Sequence, residues 1–139
     1  MRERTFRRMV AREAGTDTST PAIAAAARRL CERFAEQLAP LIGDAGVAAI
    51  CARSLHLIQR KIPRLAPVPV SAQADAPFAL LQGSLEQLDP VEATDAVVAV
   101  LATVSELLVS FVGEGLTTRL LREAWPDDFA GGTTAETIT

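Results

Sequence analysis

A long apolar run that stops at a glycine constrains this chain more than any other feature. Residues 91–112 are mostly aliphatic, and their apolar positions recur at steps of three and four, which is helical spacing over a wide face. Gly113 interrupts the run, and a shorter amphipathic run follows at 116–125. The stretch 89–125 therefore predicts a helical hairpin whose long helix is mostly buried.

The residues at the ends of this hairpin fit the prediction. Asp89 suits the N-cap, because its carboxylate accepts hydrogen bonds from the free N–H groups of the first turn. Pro90 suits the first helical position, where no N–H is needed. Gly113 suits the left-handed conformation that closes many helices, and Pro126 stops the second helix after Trp125.

Composition favours helices throughout the chain. Of the 139 residues, 49% are hydrophobic, which is enough for one domain to bury a core without disulfides. Aromatic residues make up only 4% and Tyr is absent, so the core depends on Ala and Leu rather than on the β-branched and aromatic residues of sheets. We expect an all-α, single-domain bundle of about five helices.

A second hairpin is predicted at residues 20–62. Thr20-Pro21 repeats the cap-plus-proline pattern of the other hairpin, and apolar residues at helical spacing follow. Gly43 closes this first long helix, and Asp44 caps a second helix that runs to about Ile62. The bundle therefore consists of two long-short hairpins, 20–62 and 89–125, within a domain of residues 20–126.

The two hairpins resemble each other at an offset of seventy residues. Aligning Gly43 with Gly113 places Phe34 on Val104 and Glu36 on Glu106, and it preserves residue class at most apolar positions. One interpretation is an internal repeat of two units, each of which buries its apolar face against the other. The alternative is that any two amphipathic hairpins with glycine turns can be aligned in this way.

The remaining segments are shorter. Residues 1–19 form a basic N-terminal arm with a weakly amphipathic helix at 1–14, either a contact for an acidic partner or a loose terminus. Residues 64–77 are a proline-rich connection, and 78–88 are a short helix. Residues 127–139 are expected to be a disordered tail.

Charge divides the chain into two halves of opposite sign. Residues 1–64 carry twelve basic and six acidic side chains, whereas residues 65–139 carry two basic and eleven acidic ones. An acidic half repels phosphate, so nucleic acid is not the expected partner. The two halves instead favour self-complementation, within the fold or across a homodimer.

The sequence predicts a cytoplasmic protein without a membrane span. The N-terminus is Arg-rich and lacks the apolar segment of a signal peptide. The most apolar segment, 96–112, is short for a span and carries Glu106 near its middle, where an ionised carboxylate is costly. Lys61 is the only lysine among fourteen basic residues, which is typical of GC-rich coding and indicates a bacterial source.

No arrangement of reactive residues predicts catalysis, a metal or a cofactor. Cys31 and Cys51 have no partner at short spacing and are interpreted as small buried apolar residues. His56 is the only histidine, and neighbouring cations make it a poor general base. An enzyme that uses Glu36 and Glu106 is conceivable only when both carboxylates face one cavity.

These observations favour a non-enzymatic regulatory or adaptor protein that binds another protein through its helix faces, as a homodimer. The alternative is a small-molecule sensor that binds an apolar ligand between helices. The predicted partner contacts are Arg53, His56, Arg60 and Lys61. The predicted ligand pocket consists of Phe34, Phe78, Leu81, Phe111 and Trp125.

Overall fold

The fold is an all-α bundle, as the sequence predicts. The computed structural model describes residues 2–62 and 77–126, and it contains no strand within those ranges. The proline-rich connection and the tail predicted to be disordered lie outside them. The five helices are α1 (Arg2–Ala14), α2 (Thr20–Lys61), α3 (Pro77–Leu85), α4 (Pro90–Val112) and α5 (Glu114–Ala124).

A single glycine joins the two helices of each hairpin. Gly43 divides α2 into a first arm, 20–42, and a second arm, 44–61, and Gly113 joins α4 directly to α5. Gly43 has φ 79° and ψ 165°, and Gly113 has φ 93° and ψ 164°. The observed conformation differs from the predicted left-handed one. At both glycines φ is positive but ψ is extended, and essentially only glycine occupies this region of backbone angles.

The Gly113→Ala variant tests this joint. An Ala side chain meets no neighbour there, so its cost is backbone strain of about 1–3 kcal/mol. In Gly115→Ala, the added methyl group is equally free of contacts and the backbone is helical, so stability should be unchanged or rise by up to about 1 kcal/mol. Urea unfolding of both variants measures the difference, and equal losses would contradict the assignment of strain to Gly113.

Side chains at the helix starts fix the positions of α2 and α4. Asp89 caps α4 as predicted, and the structure adds Glu92 to form a capping box, in which each side chain accepts from the other residue's backbone N–H. The cap of α2 is one residue earlier than predicted, because the hydroxyl of Ser19, not Thr20, accepts from the N–H of Ala22. The Thr20 hydroxyl instead donates to the Leu88 carbonyl at 2.9 Å, which ties the start of α2 to the start of α4.

The first arm of α2 and α4 lie side by side and run in the same direction. Their starts meet at the Thr20–Leu88 hydrogen bond, and further along Cys31 and Phe34 line one cavity with Leu101 and Val104. The first arm, 20–42, has the same length as α4, which has 23 residues. Since both helices start together and extend about 34 Å, both glycine joints lie at the same end of the bundle.

The internal repeat is visible in the structure. The helix bounds of the first arm and of α4 differ by seventy residues at each end, and both end at a glycine of nearly the same conformation. Eleven equivalent pairs are buried in both units. They are Ile23 and Ala93, Ala26 and Ala96, Ala27 and Val97, Leu30 and Val100, Cys31 and Leu101, Phe34 and Val104, Leu38 and Leu108, Val47 and Thr117, Ile50 and Leu120, Ser54 and Ala124, and Leu55 and Trp125.

The short helix α3 packs against α2. It ends at Leu85, three residues earlier than predicted, and a turn follows in which the N–H of Leu88 donates to the carbonyl of Leu85. Leu81, Leu85 and Leu88 of this segment are buried. The segment thus brings the chain back to the end of the bundle at which α4 begins.

Helix α1 is part of the core and is not a loose terminus. Phe6, Met9 and Val10 are each at most 1% exposed, and the helix packs against α2 and α4. Ion pairs flank this contact, with Arg7 to Asp95 at 2.8 Å. The prediction of a separate arm relied on the many arginines of this segment. Three apolar side chains on one face are nevertheless enough to dock a short helix.

The apolar contact, and not the ion pair, should hold α1 in place. Phe6→Ala removes a fully buried side chain and should lower the free energy of unfolding by about 3–5 kcal/mol. Arg7→Ala removes a half-exposed ion pair and should cost under about 1 kcal/mol. Urea unfolding of the two variants decides between these contributions, and a small loss in Phe6→Ala would mean that α1 is dispensable for stability.

Candidate functional surfaces and interior cavity

An apolar cavity lies between α2, α3 and α4. Its walls come from both arms of α2, from Leu81 of α3 and from the middle of α4. The cavity has a volume of about 30 Å³. The lining residues are Cys31, Phe34, Ala35, Leu38, Val47, Cys51, Leu55, Leu81, Val100, Leu101 and Val104.

The repeat gives a physical reason for this cavity. Phe34 packs on Trp125 with ring centroids 5.3 Å apart. The residues equivalent to Phe34 and Trp125 are Val104 and Leu55, and both line the cavity. These two side chains are smaller than the two rings, so they fill less of the space at their position.

Both cysteines of the chain line this cavity, and both are free thiols. Cys31 is buried, which confirms its interpretation as a buried apolar residue. Cys51 is only partly buried, so the same interpretation is confirmed in part. Burial raises the pKa of the Cys51 thiol to about 11. Burial, followed by the neighbouring Cys51 thiol, raises the pKa of Cys31 as well. Both thiols are therefore neutral and weakly nucleophilic at neutral pH.

Stability should decline in alkali because of these thiols. A cysteine in the unfolded chain has a pKa of about 8.5, and the pKa of both thiols is higher than this in the folded protein. The contribution of the neutral thiols to the free energy of unfolding is therefore complete only below about pH 8.5. It should be lost as the pH rises from about 8.5 through about 11. The chain has no Tyr and one Lys, so few other groups titrate in this window.

Urea unfolding between about pH 7 and about pH 11 measures this effect. The double variant Cys31→Ala with Cys51→Ala should be less stable at neutral pH, since it enlarges the cavity, but its stability should vary less with pH over the same range. An equally steep alkaline decline in the double variant would assign it to other groups.

The structure brings together part of the predicted ligand pocket. Phe34 and Leu81 line the cavity. Trp125 is buried against Phe34 but is not part of the cavity wall, and the side chain of Phe78 lies outside the described part of the chain. Phe111 is 72% exposed and does not line the cavity, so its assignment to the predicted pocket was wrong. Its helical spacing is that of a core residue, but it lies in the last turn of α4, where none of the described helices buries it.

A surface groove lies at the end of the bundle where α2 and α4 begin. It has a volume of about 350 Å³ and lies between α1, the turn after it, and the first turns of both long helices. Ala11, Ala14 and Gly15 leave room for it, and Val91, which is 71% exposed, forms part of its wall. Arg7, which pairs with Asp95, stands at its edge. The sequence pattern did not indicate this groove, because it depends on how α1 docks.

The four predicted partner contacts lie on the second arm of α2 and are all exposed: Arg53, His56, Arg60 and Lys61. We call them the basic face. No acidic residue occurs between 45 and 61, and Asp44, the one acid of this arm, lies at its far end beside Gly43. Arg53, His56 and Arg60 are three and four residues apart, which places them on one side of the helical arm.

The end of the bundle with both glycine joints carries an apolar and acidic surface. Leu41 is 46% exposed and Phe111 is 72% exposed, and the two are equivalent in the repeat. Four exposed acids lie within five residues of them along the chain, again as equivalent pairs: Glu36 and Glu106, and Asp44 and Glu114. We call this surface the double-turn end.

No basic residue occurs within the segments that build the double-turn end, 34–52 and 96–118. The arginines that directly border these segments are Arg33, Arg53 and Arg119, and Arg53 belongs to the basic face. Arg33 lies 3.9 Å from Glu13 of α1, and Arg119 pairs with Glu123 further along α5 at 3.3 Å. The surface is therefore uniformly negative around its exposed apolar residues.

The carboxylates do not form a catalytic pair. Glu36 and Glu106 are both exposed, which contradicts the requirement that they face one cavity. Within residues 2–62 and 77–126, no group of three or more His, Cys, Asp or Glu side chains is placed to hold a metal ion.

Two helices, α2 and α4, are long and apolar enough to cross a membrane when judged by length and composition alone. Half of the most apolar window of α4 is buried inside the protein, and core helices of ordinary globular proteins pass the same test. This property is weak evidence for a span.

No protein-family model, no curated protein and no solved structure matches the chain. The evidence for its function comes from its surfaces, its cavity and the distribution of its charge.

Proposed function

We propose that the chain is a non-enzymatic regulatory or adaptor protein of the bacterial cytoplasm. It acts through protein–protein contacts made by its helix faces, and it does so as a homodimer. The observation that carries this proposal is the basic face of α2, a row of exposed basic side chains with no acid between residues 45 and 61. Such a face attracts an acidic protein surface and orients it during the encounter.

Charge elsewhere on the molecule favours a protein over nucleic acid as the partner of the basic face. The sequence has a pI of about 5.2, and the double-turn end is uniformly negative. A polyanion that approached the basic face would be repelled by these acids, whereas a protein partner can offer both signs of charge in register. A second copy of the chain offers both signs as well.

The alternative function is a small-molecule sensor, which the cavity supports. Phe34 and Leu81, two of the predicted pocket residues, line it together with other apolar side chains. Its volume of about 30 Å³ is far below the roughly 300–1,000 Å³ of ordinary ligand sites, so a ligand would have to separate α3 from α2 and α4. The surface evidence therefore outweighs the cavity.

Native mass spectrometry of the purified protein distinguishes the two functions. A dimer without added mass, which dissociates more at about 500 mM than at about 20 mM ammonium acetate, is the expected result for a contact governed by opposite charges. A stoichiometric extra mass on each chain would instead support the sensor. A monomer that retains no ligand at either salt concentration would count against both the dimer and the sensor.

A reversal of the basic face tests the partner contact itself. The variant Arg53→Glu with Arg60→Glu changes two exposed side chains, so the fold should be retained in circular dichroism. Binding of any acidic protein partner that co-purifies with the wild type should be lost in this variant. The matched control is Arg4→Glu with Arg8→Glu on the exposed side of α1, which should leave binding unchanged. Equal losses in both variants would mean that net charge, and not the basic face, governs binding.

A further inference from the structure

The charge of the molecule is arranged by position in the bundle and not by half of the sequence. The double-turn end contains acids from both halves, Glu36 and Asp44 from the first and Glu106 and Glu114 from the second. The basic face begins at Arg53 and ends at Lys61, the last residue of α2. Because the second arm runs back from Gly43 for about 26 Å, the basic face extends to the opposite end of the bundle.

Several acids at that opposite end are engaged within the molecule, whereas Glu86 is exposed there. Glu13 pairs with Arg29 at 2.9 Å, and Asp95 pairs with Arg7 at 2.8 Å. Asp89 and Glu92 form the capping box of α4. The cations of the basic face therefore remain the main source of unopposed charge at the end where α2 finishes.

We propose that the double-turn end of one protomer docks on the basic face of a second copy, in an antiparallel dimer with two-fold symmetry. A two-fold axis perpendicular to the bundle exchanges its ends, so the contact of acids with bases occurs twice. A parallel arrangement would bring acid onto acid at one end and base onto base at the other. This inference rests on the proposed role as a dimeric interaction module and specifies its contact surfaces.

The exposed apolar residues are placed to take part in this contact. Leu41 and Phe111 lie near the four acids in the chain, and both expose apolar surface. A partner that covers them removes this apolar surface from water, which stabilises the contact. The charges around them determine which surface covers them, because a basic surface alone is attracted to that end. The other exposed large apolar residue among the described residues, Val91, lies at the opposite end, beside the groove.

Charge reversal with mutual rescue tests the proposal. The acid-reversed variant is Glu106→Lys with Glu114→Lys, and the base-reversed variant is Arg53→Glu with Arg60→Glu; all four positions are exposed. In sedimentation equilibrium, each variant alone should have a dimer dissociation constant raised by about tenfold or more. A mixture of the two should form heterodimers more tightly than either forms homodimers, since one of the two contacts in the heterodimer is the wild-type contact of acids with bases, which neither homodimer retains.

Two controls separate the contact from general effects. Glu3→Lys with Glu86→Lys makes the same change in net charge at exposed positions outside the double-turn end, and it should leave dimerisation within about threefold of wild type. Leu41→Ser with Phe111→Ser should weaken the dimer, whereas Val91→Ser should not. Circular dichroism confirms that each variant is folded before its mass is measured.

The outcomes distinguish failure of this inference from failure of the proposed function. A wild-type dimer that the acid-reversed and base-reversed variants leave intact would overturn the antiparallel contact while the homodimer stands. Equal weakening by the control pair would overturn it too, because net charge would then be the cause. A wild type that stays monomeric at about 100 µM overturns both the contact and the dimer, and leaves only binding to a different protein.

Discussion

The parallel packing of two equally long helices is the constraint on which the rest of this fold depends. When neighbouring helices run in the same direction, the chain must return along the bundle between them. The second arm of α2 makes that return, and α3 completes it beside the start of α4. A one-residue joint at Gly43 reverses the chain without a loop, so the returning arm packs at once against the helix that precedes it.

Much of the fold could be predicted from the sequence because helix ends are decided locally. The N-cap at Asp89 and the glycine joint at Gly113 involve a few adjacent residues, and their prediction placed α4 at the observed bounds. The docking of α1 could not be predicted in this way, because burial of Phe6 requires a groove that only α2 and α4 together supply. Phe111 shows the converse, since its spacing is that of a core residue and only the tertiary structure reveals that the described residues leave it 72% exposed.

The candidate surfaces were predictable to different degrees. The exposed basic face follows from helical spacing, since Arg53, His56 and Arg60 recur at three and four on an arm whose apolar residues face elsewhere. The double-turn end does not follow from any one segment, because it joins residues seventy positions apart. Summing charge along the sequence assigned Glu36 and Asp44 to a basic half, whereas the fold places them with Glu106 and Glu114.

The apolar cavity also affects where local opening of the fold requires the least free energy. Trp125 and Phe34 hold α5 against the first arm of α2, but Leu55 and Val104 leave a cavity beside the second arm. Local opening requires least free energy where the fewest apolar contacts are broken. Fewer apolar contacts therefore hold the helices together around the cavity, and both cysteines line it. Cys51 is partly exposed in the closed fold, so transient opening governs when the buried Cys31 thiol meets solvent.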